Sequence, residues 1–142
     1  MLDISMIGPG IVLALGCLGS SIGCGIAGMA SHGVMSRVEE GHAKYVAFSA
    51  APSTQSIFGF LLMILMSQSI KAGTLSPIGG IGIGLFVGTA IMVSAIFQGK
   101  CAASAIQATA KNPALFGMCW ASIGVIESFA LFAFVFAVLI IR

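Results

Sequence analysis

Residues 125–141 read "VIESFALFAFVFAVLII". Only Glu127 and Ser128 in this run are polar, and Glu127 is the only acidic residue in the last 30 positions. With the apolar residues before it, the run exceeds the roughly 20 residues that an α-helix needs to cross a bilayer. The segment decides the class of the protein. It also raises a question: why does the greasiest part of the chain hold a carboxylate?

The rest of the sequence matches this segment. The chain has 142 residues, 58% hydrophobic and 7% charged, with a mean hydropathy of +1.13. A soluble domain carries about a quarter charged residues. One of this size could not hide so much apolar surface in a single small core. Charges fall at Asp3, then Arg37, Glu39, Glu40 and Lys44, then Lys71, Lys100, Lys111, Glu127 and Arg142. Long apolar stretches separate them. They predict four spanning helices near 7–34, 45–70, 77–108 and 114–141, an all-α membrane protein with no room for a soluble domain. The first stretch is not read as a signal peptide. It has no basic n-region, it is too long, and three more spans follow.

The loops "SRVEEGHAK" and "ATAKNP", with Lys100 nearby, hold four of the six Lys and Arg residues. The positive-inside rule puts these loops in the cytoplasm and both termini outside. The net charge of +2 gives no ground for a nucleic-acid partner. Cys17, Cys24, Cys101 and Cys119 form no CxxC pair and read as small apolar fillers. His32 and His42 fall near the first loop and read as surface or packing residues.

The chain is written twice. Shifted by 72, the halves register without a gap: Gly8 meets Gly80, Gly16 meets Gly88, Ser56 meets Ser128 and Phe60 meets Phe132. "VEEGH" lands on "AKNPA". The reading is two tandem helical hairpins, 1–72 and 73–142, running parallel. Under this shift Glu127 falls on Gln55, as if a duplicated site had lost one charge.

Spans one and three are glycine-rich. "GCLGSSIGCGIAG" sets Gly19 and Gly23 four apart, and "GGIGIGLFVG" sets Gly80, Gly84 and Gly88 four apart. Such stripes let backbones approach closely in lipid. Spans two and four carry bulky Phe, Leu, Ile and Met. Thin helices packed together and bulky helices facing lipid are expected.

A charge at mid-membrane costs roughly 2.5–3.5 kcal/mol on insertion scales. Counted from Pro113 at 1.5 Å per residue, Glu127 lies about 21 Å along its helix. Gln55 has the matching depth by the repeat, Thr54 adjoins it, and Gln98 is as far back from the 3–4 loop as Glu127 is forward from it. Pro52, inside the second span, removes a backbone hydrogen bond and frees a carbonyl about one turn earlier. Ala51 and its neighbours could add an oxygen. A carboxylate out of water holds its proton to higher pH and makes a proton carrier. A carboxylate ringed by neutral oxygens makes a small-cation site. Either way the loaded site is neutral and the empty one charged. The blander reading of Glu127 is a structural hydrogen bond between helices.

On "PSTQSIFGF" at 52–60, "FQGKCAASAIQ" at 97–107, "VIESFALF" at 125–132 and the doubled hairpin, the chain resembles the four-helix rotor proteolipid of V-type rotary ATPases. The resemblance covers essentially the whole chain. It implies a ring of identical subunits, embedded in lipid, turning against a static membrane subunit that supplies an arginine. It implies central-stalk subunits seated on the cytoplasmic loops around Arg37–Lys44 and Lys111. ATP would bind elsewhere, so the protein is not itself an enzyme and needs no cofactor. Glu127 would carry the ion. Sodium-transporting members resemble the chain at Gln98, Thr54, Gln55 and the backbone carbonyl at Ala51, which favours Na+ over H+ as the cargo. Two departures stand out: Ser53 where those members commonly have Gly, and Phe58 where they have a Tyr that bonds the glutamate.

Two rivals remain. A small four-helix drug–proton antiporter also uses one intramembrane Glu, but in its first helix and without duplicated hairpins. A passive ring-forming proteolipid needs no such polar layer.

Overall fold

The computed structural model describes residues 4–141. Asp3 and Arg142, counted among the charges above, lie outside the described residues. Four helical segments are long and apolar enough to cross a membrane: Ile7–Met35, His42–Lys71, Pro77–Lys111 and Pro113–Ile140. The predicted boundaries agree within a few residues.

Two of these spans are compound. The first is a single helix, α1 (Ile7–Met35), and the third is α4 (Pro77–Lys111). The second runs as α2 (His42–Ala50), a 3-10 turn (Ala51–Ser53) and α3 (Thr54–Lys71). The fourth opens with a 3-10 turn (Pro113–Leu115) and continues as α5 (Phe116–Ile140). The turn in the second span is Pro52's doing. Proline has no N–H to give the ladder and clashes with the carbonyl four residues back. The backbone tightens there, and the Ala51 N–H bonds the Phe48 carbonyl instead.

The ends are written in local chemistry. Gly73 takes φ +77° and ends α3. Its N–H bonds Ile70 O, and the Thr74 N–H bonds Ser69 O, the double-bonded glycine stop that only a residue free of Cβ adopts at no cost. Ser76 then caps α4, its hydroxyl accepting the Gly79 N–H at 3.1 Å, with Pro77 preset for the first helical position. Asn112 does the same before Pro113, accepting the Ala114 N–H at 3.1 Å.

The glycine stripes bring α1 and α4 together in parallel. A Cβ on Gly8 would collide with the Gly80 backbone, one on Gly84 with Gly8, one on Gly23 with the Ala95 carbonyl, and one on Gly99 with Gly23. On Gly19 it would stand 2.6 Å from Met92 Cα. Side chains larger than hydrogen would push the helices apart. α3 lies antiparallel on α1, where a Cβ on Gly16 would stand 2.9 Å from Gln55 O and one on Gly59 2.9 Å from Val12 O.

Bulk faces outward in span four, as expected: Phe129 and Phe136 of α5 are more than half exposed, whereas span two divides, with Ile57 and Phe60 exposed and Phe48, Leu62 and Met66 fully buried. The first and third spans depart from the expectation, since Leu18 and Met29 of α1 and Ile78, Phe86 and Phe97 of α4 are exposed as well. Inside, two apolar clusters form. One, toward the termini, gathers Val12, Leu62, Met66, Ile91 and Ala130. The other, toward the 1–2 and 3–4 loops, gathers Ala27, Tyr45, Phe48, Ile106 and Ile123. In each of spans two, three and four the sequence passes from one cluster to the other through Gln55, Gln98 or Glu127.

Candidate functional site

The polar layer is continuous. Gln55 and Gln98 are fully buried, and the Gln55 amide Nε2 donates to Gln98 Oε1 at 2.7 Å. Gln98 Nε2 in turn points to Glu127 Oε2 at 3.5 Å and to the Ile123 carbonyl at 3.5 Å. Both are at the outer limit of a hydrogen bond. Glu127 is half-buried. On the other side, the Thr54 hydroxyl lies 3.2 Å from Gln55 Oε1 and 3.3 Å from the Ala51 carbonyl. With one proton, it donates to one of them at a time. Ala51 O also takes the Thr54 N–H. The five residues singled out from sequence, Ala51, Thr54, Gln55, Gln98 and Glu127, thus form one chain of contacts across three spans.

The role expected of Pro52 takes a different form. The carbonyl one turn before it, that of Phe48, is occupied by the Ala51 N–H. The oxygen that reaches the layer is that of Ala51, through the 3-10 turn. The turn also leaves the Ser56 N–H without its usual α-helical partner, and it bonds Ser20 Oγ of α1 at 3.0 Å.

Sequence reasoning missed two supports. One is Ser20. The other is Ser94, one turn before Gln98 on the same face of α4, whose hydroxyl donates to Ile126 O at 2.9 Å and pins α5 beside Glu127. The i, i+4 spacing of Ser94 and Gln98 was the available signal.

The two departures are placed plainly. Ser53 is exposed, and its hydroxyl turns back to Ala50 O at 2.8 Å. Phe58 stacks on Phe134, ring centroids 5.7 Å apart, and gives the carboxylate no donor. His42 makes a local contact with Val38 O at 2.9 Å, and both histidines are exposed. The four cysteines are free. Among the described residues, no three His, Cys, Asp or Glu side chains converge. The layer is built of oxygens and amides around one carboxylate, a donor set suited to a hard monovalent cation or to a proton. At the loop end, an open cleft of about 560 Å³ carries Arg37, Gln107 and Lys111 on its walls.

Comparison with known proteins agrees with this architecture. The family model for the C subunit of ATP synthase matches the chain twice, over residues 7–66 and 81–140. The A-type ATP synthase subunit K of Methanocaldococcus jannaschii is 32% identical over 140 residues, 99% of this chain and 62% of that protein. The chain therefore spans less than two thirds of that relative's length. The V-type sodium ATPase subunit K of Enterococcus hirae is 27% identical over 128 residues, 87% of this chain and 81% of its own.

Proposed function

The chain belongs to the family of ATP synthase C subunits, and from that premise we propose that it is the ion-carrying rotor protein of a rotary ATPase or ATP synthase. It sits in the membrane as a ring of identical copies. Glu127 carries the ion, and the protein has no catalytic site of its own. ATP is made or hydrolysed by other subunits. The observation that carries this reading is the layer itself: one carboxylate, tied through Gln98 and Gln55 to Thr54 and Ala51, between two apolar clusters.

The working cycle follows from charge. The empty carboxylate is ionised and unfavourable against lipid. A bound cation neutralises it, and the loaded site crosses the lipid-facing arc at low cost. An arginine on the static membrane subunit meets the empty carboxylate and drives release. The basic loop cleft with Arg37 and Lys111 faces the cytoplasm and seats the central stalk.

Sodium is the favoured cargo. Glu127 supplies the charge, and Gln98, Gln55, Thr54 and the Ala51 carbonyl supply neutral oxygens. The E. hirae relative is named a sodium ATPase subunit. Amide oxygen and nitrogen have nearly the same shape. Turning the Gln98 amide exchanges a donor for an acceptor beside Glu127, provided Gln55 turns in step so that its oxygen accepts from the Gln98 NH2 and its NH2 donates to the Thr54 hydroxyl, which then donates to Ala51 O: the NH2 serves the empty carboxylate, the oxygen serves an ion. Protons are the second reading, favoured by the stacking of Phe58 on Phe134, which leaves Glu127 without a phenol donor.

The test is transport by the assembled complex in vesicles. Intact complex takes up radioactive sodium on adding ATP, and Glu127→Gln abolishes the uptake. Sodium uptake that survives Glu127→Gln would contradict the assignment.

A further inference from the structure

Ser20 of α1 is 5% exposed. Its hydroxyl oxygen accepts the Ser56 N–H at 3.0 Å. Among the described residues this is the only side-chain hydrogen bond between α1 and the second span. The N–H it holds follows Gln55 directly, where the chain passes from the 3-10 turn Ala51–Ser53 into α3.

The sequence prepares this contact from both sides. Gly16, Ser20 and Gly23 stand four and three residues apart, so they share one face of α1. A Cβ on Gly16 would stand 2.9 Å from Gln55 O, and one on Gly23 2.8 Å from Pro52 Cβ. With hydrogen at both positions, α1 lies close enough to the turn for a short serine side chain to reach its backbone. On the facing span, Pro52 tightens the chain, and the Thr54 N–H goes to Ala51 O, three residues back and not four. The Ser56 N–H then finds its acceptor in α1.

Without that acceptor a different backbone is favoured. In a regular α-helical ladder the Ser56 N–H returns to the Pro52 carbonyl and the Gln55 N–H to the Ala51 carbonyl. The Ala51 oxygen is then held in the ladder, and Thr54 and Gln55 turn with the backbone. The polar layer uses the tight form, in which the Ala51 oxygen meets the Thr54 hydroxyl at 3.3 Å and that hydroxyl meets Gln55 Oε1 at 3.2 Å. A buried N–H with no partner is costly. Ser20 removes that cost from the tight form alone. It thereby tilts the backbone toward the form that presents Ala51, Thr54 and Gln55 together.

We propose that Ser20 is a positioning residue for the ion: it touches no ion itself, and it sets sodium affinity by holding the Pro52 turn. The proposal rests on the sodium reading above and deepens it. The first span joins the other three in serving the site.

The test is carbodiimide labelling of Glu127 in the intact oligomer at fixed pH and rising sodium. Ser20→Ala should still label without sodium. The half-protecting sodium concentration should rise about tenfold, the change that 1.4 kcal/mol of lost interaction produces. Ser31→Ala removes another buried hydroxyl of α1, one without a hydrogen-bond partner, and should leave that concentration unchanged. Pro52→Ala lets the ladder close, and in that background Ser20→Ala should add less than about twofold, since two changes acting through one turn are not additive. If Ser20→Ala does not assemble, Ser20→Cys, similar in shape but a weaker acceptor, should give a smaller shift in the same direction. A lower melting temperature with unchanged sodium protection would make Ser20 merely structural and overturn the proposal. So would a full tenfold shift in the Pro52→Ala background. Equal protection of parent and variant removes Ser20 alone; a parent that sodium does not protect removes the sodium reading and this role with it.

Discussion

Gln98 faces two ways at once: its oxygen takes a 2.7 Å hydrogen bond from Gln55, and its nitrogen stands 3.5 Å from Glu127 Oε2. The residue thus couples a fully buried amide to the half-buried carboxylate. Replacing it by Ala should do two things. The Gln55 amide loses its acceptor, which costs about 1–3 kcal/mol when the group stays buried. The sodium needed to half-protect Glu127 from carbodiimide should rise roughly tenfold or more, as expected from losing one ligand worth about 1.4 kcal/mol. Unchanged protection in Gln98→Ala would remove Gln98 from the site.

Much of this arrangement was legible in the sequence because membrane helices carry few polar residues. Glu127, Gln55 and Gln98 could be counted to one depth from loop positions, and the 72-residue repeat tied Gln55 to Glu127. The geometry that was not legible depends on backbone detail. Pro52 was expected to free a carbonyl. The 3-10 turn gives that carbonyl to the Ala51 N–H and brings the Ala51 oxygen to Thr54 instead. Ser94 and Ser20 look like ordinary small residues of glycine-rich helices until the facing helix is in place. The exposed edge of α4 was hidden for the same reason: a count of Phe and Ile does not tell which side of a helix they occupy.

Phe58→Tyr tests the departure from the sodium-type pattern. Phe58 packs on Phe134; the resemblance to sodium-type members implies that a hydroxyl restored to this ring would leave that stack and donate to the carboxylate. One such hydrogen bond contributes about 0.5–1.5 kcal/mol. The half-protecting sodium concentration should fall roughly three- to tenfold. A rise would mean that the added hydroxyl disturbs the Phe58–Phe134 stack more than it helps the ion.

Glycine positions separate by what a methyl group would meet. Gly99→Ala puts a Cβ into the Gly23 backbone, and overpacking of this kind costs about 1–3 kcal/mol. Gly117 has open space around it, and Gly117→Ala should change stability by no more than about 0.5 kcal/mol. Thermal unfolding of the detergent-extracted protein ranks the two. Equal melting temperatures would refute the close approach of α1 and α4.

Orientation is testable with thiol reagents that do not cross membranes. Arg37→Cys and Lys111→Cys should both react from the cytoplasmic side, and Thr74→Cys, in the turn between α3 and α4, from the outside. Reaction of Arg37→Cys and Lys111→Cys from opposite sides would break the two-hairpin topology. Reaction of both from the outside would invert it.

The central claim is that Glu127 holds a sodium ion with the oxygens around it. Carbodiimide labelling of Glu127 in the purified ring, at one fixed pH and increasing sodium, tests it most directly, since the reagent attacks the protonated acid. Millimolar-scale sodium should suppress labelling, and potassium at the same concentration should not. Labelling that ignores sodium and follows pH alone would contradict the claim and make this a proton rotor.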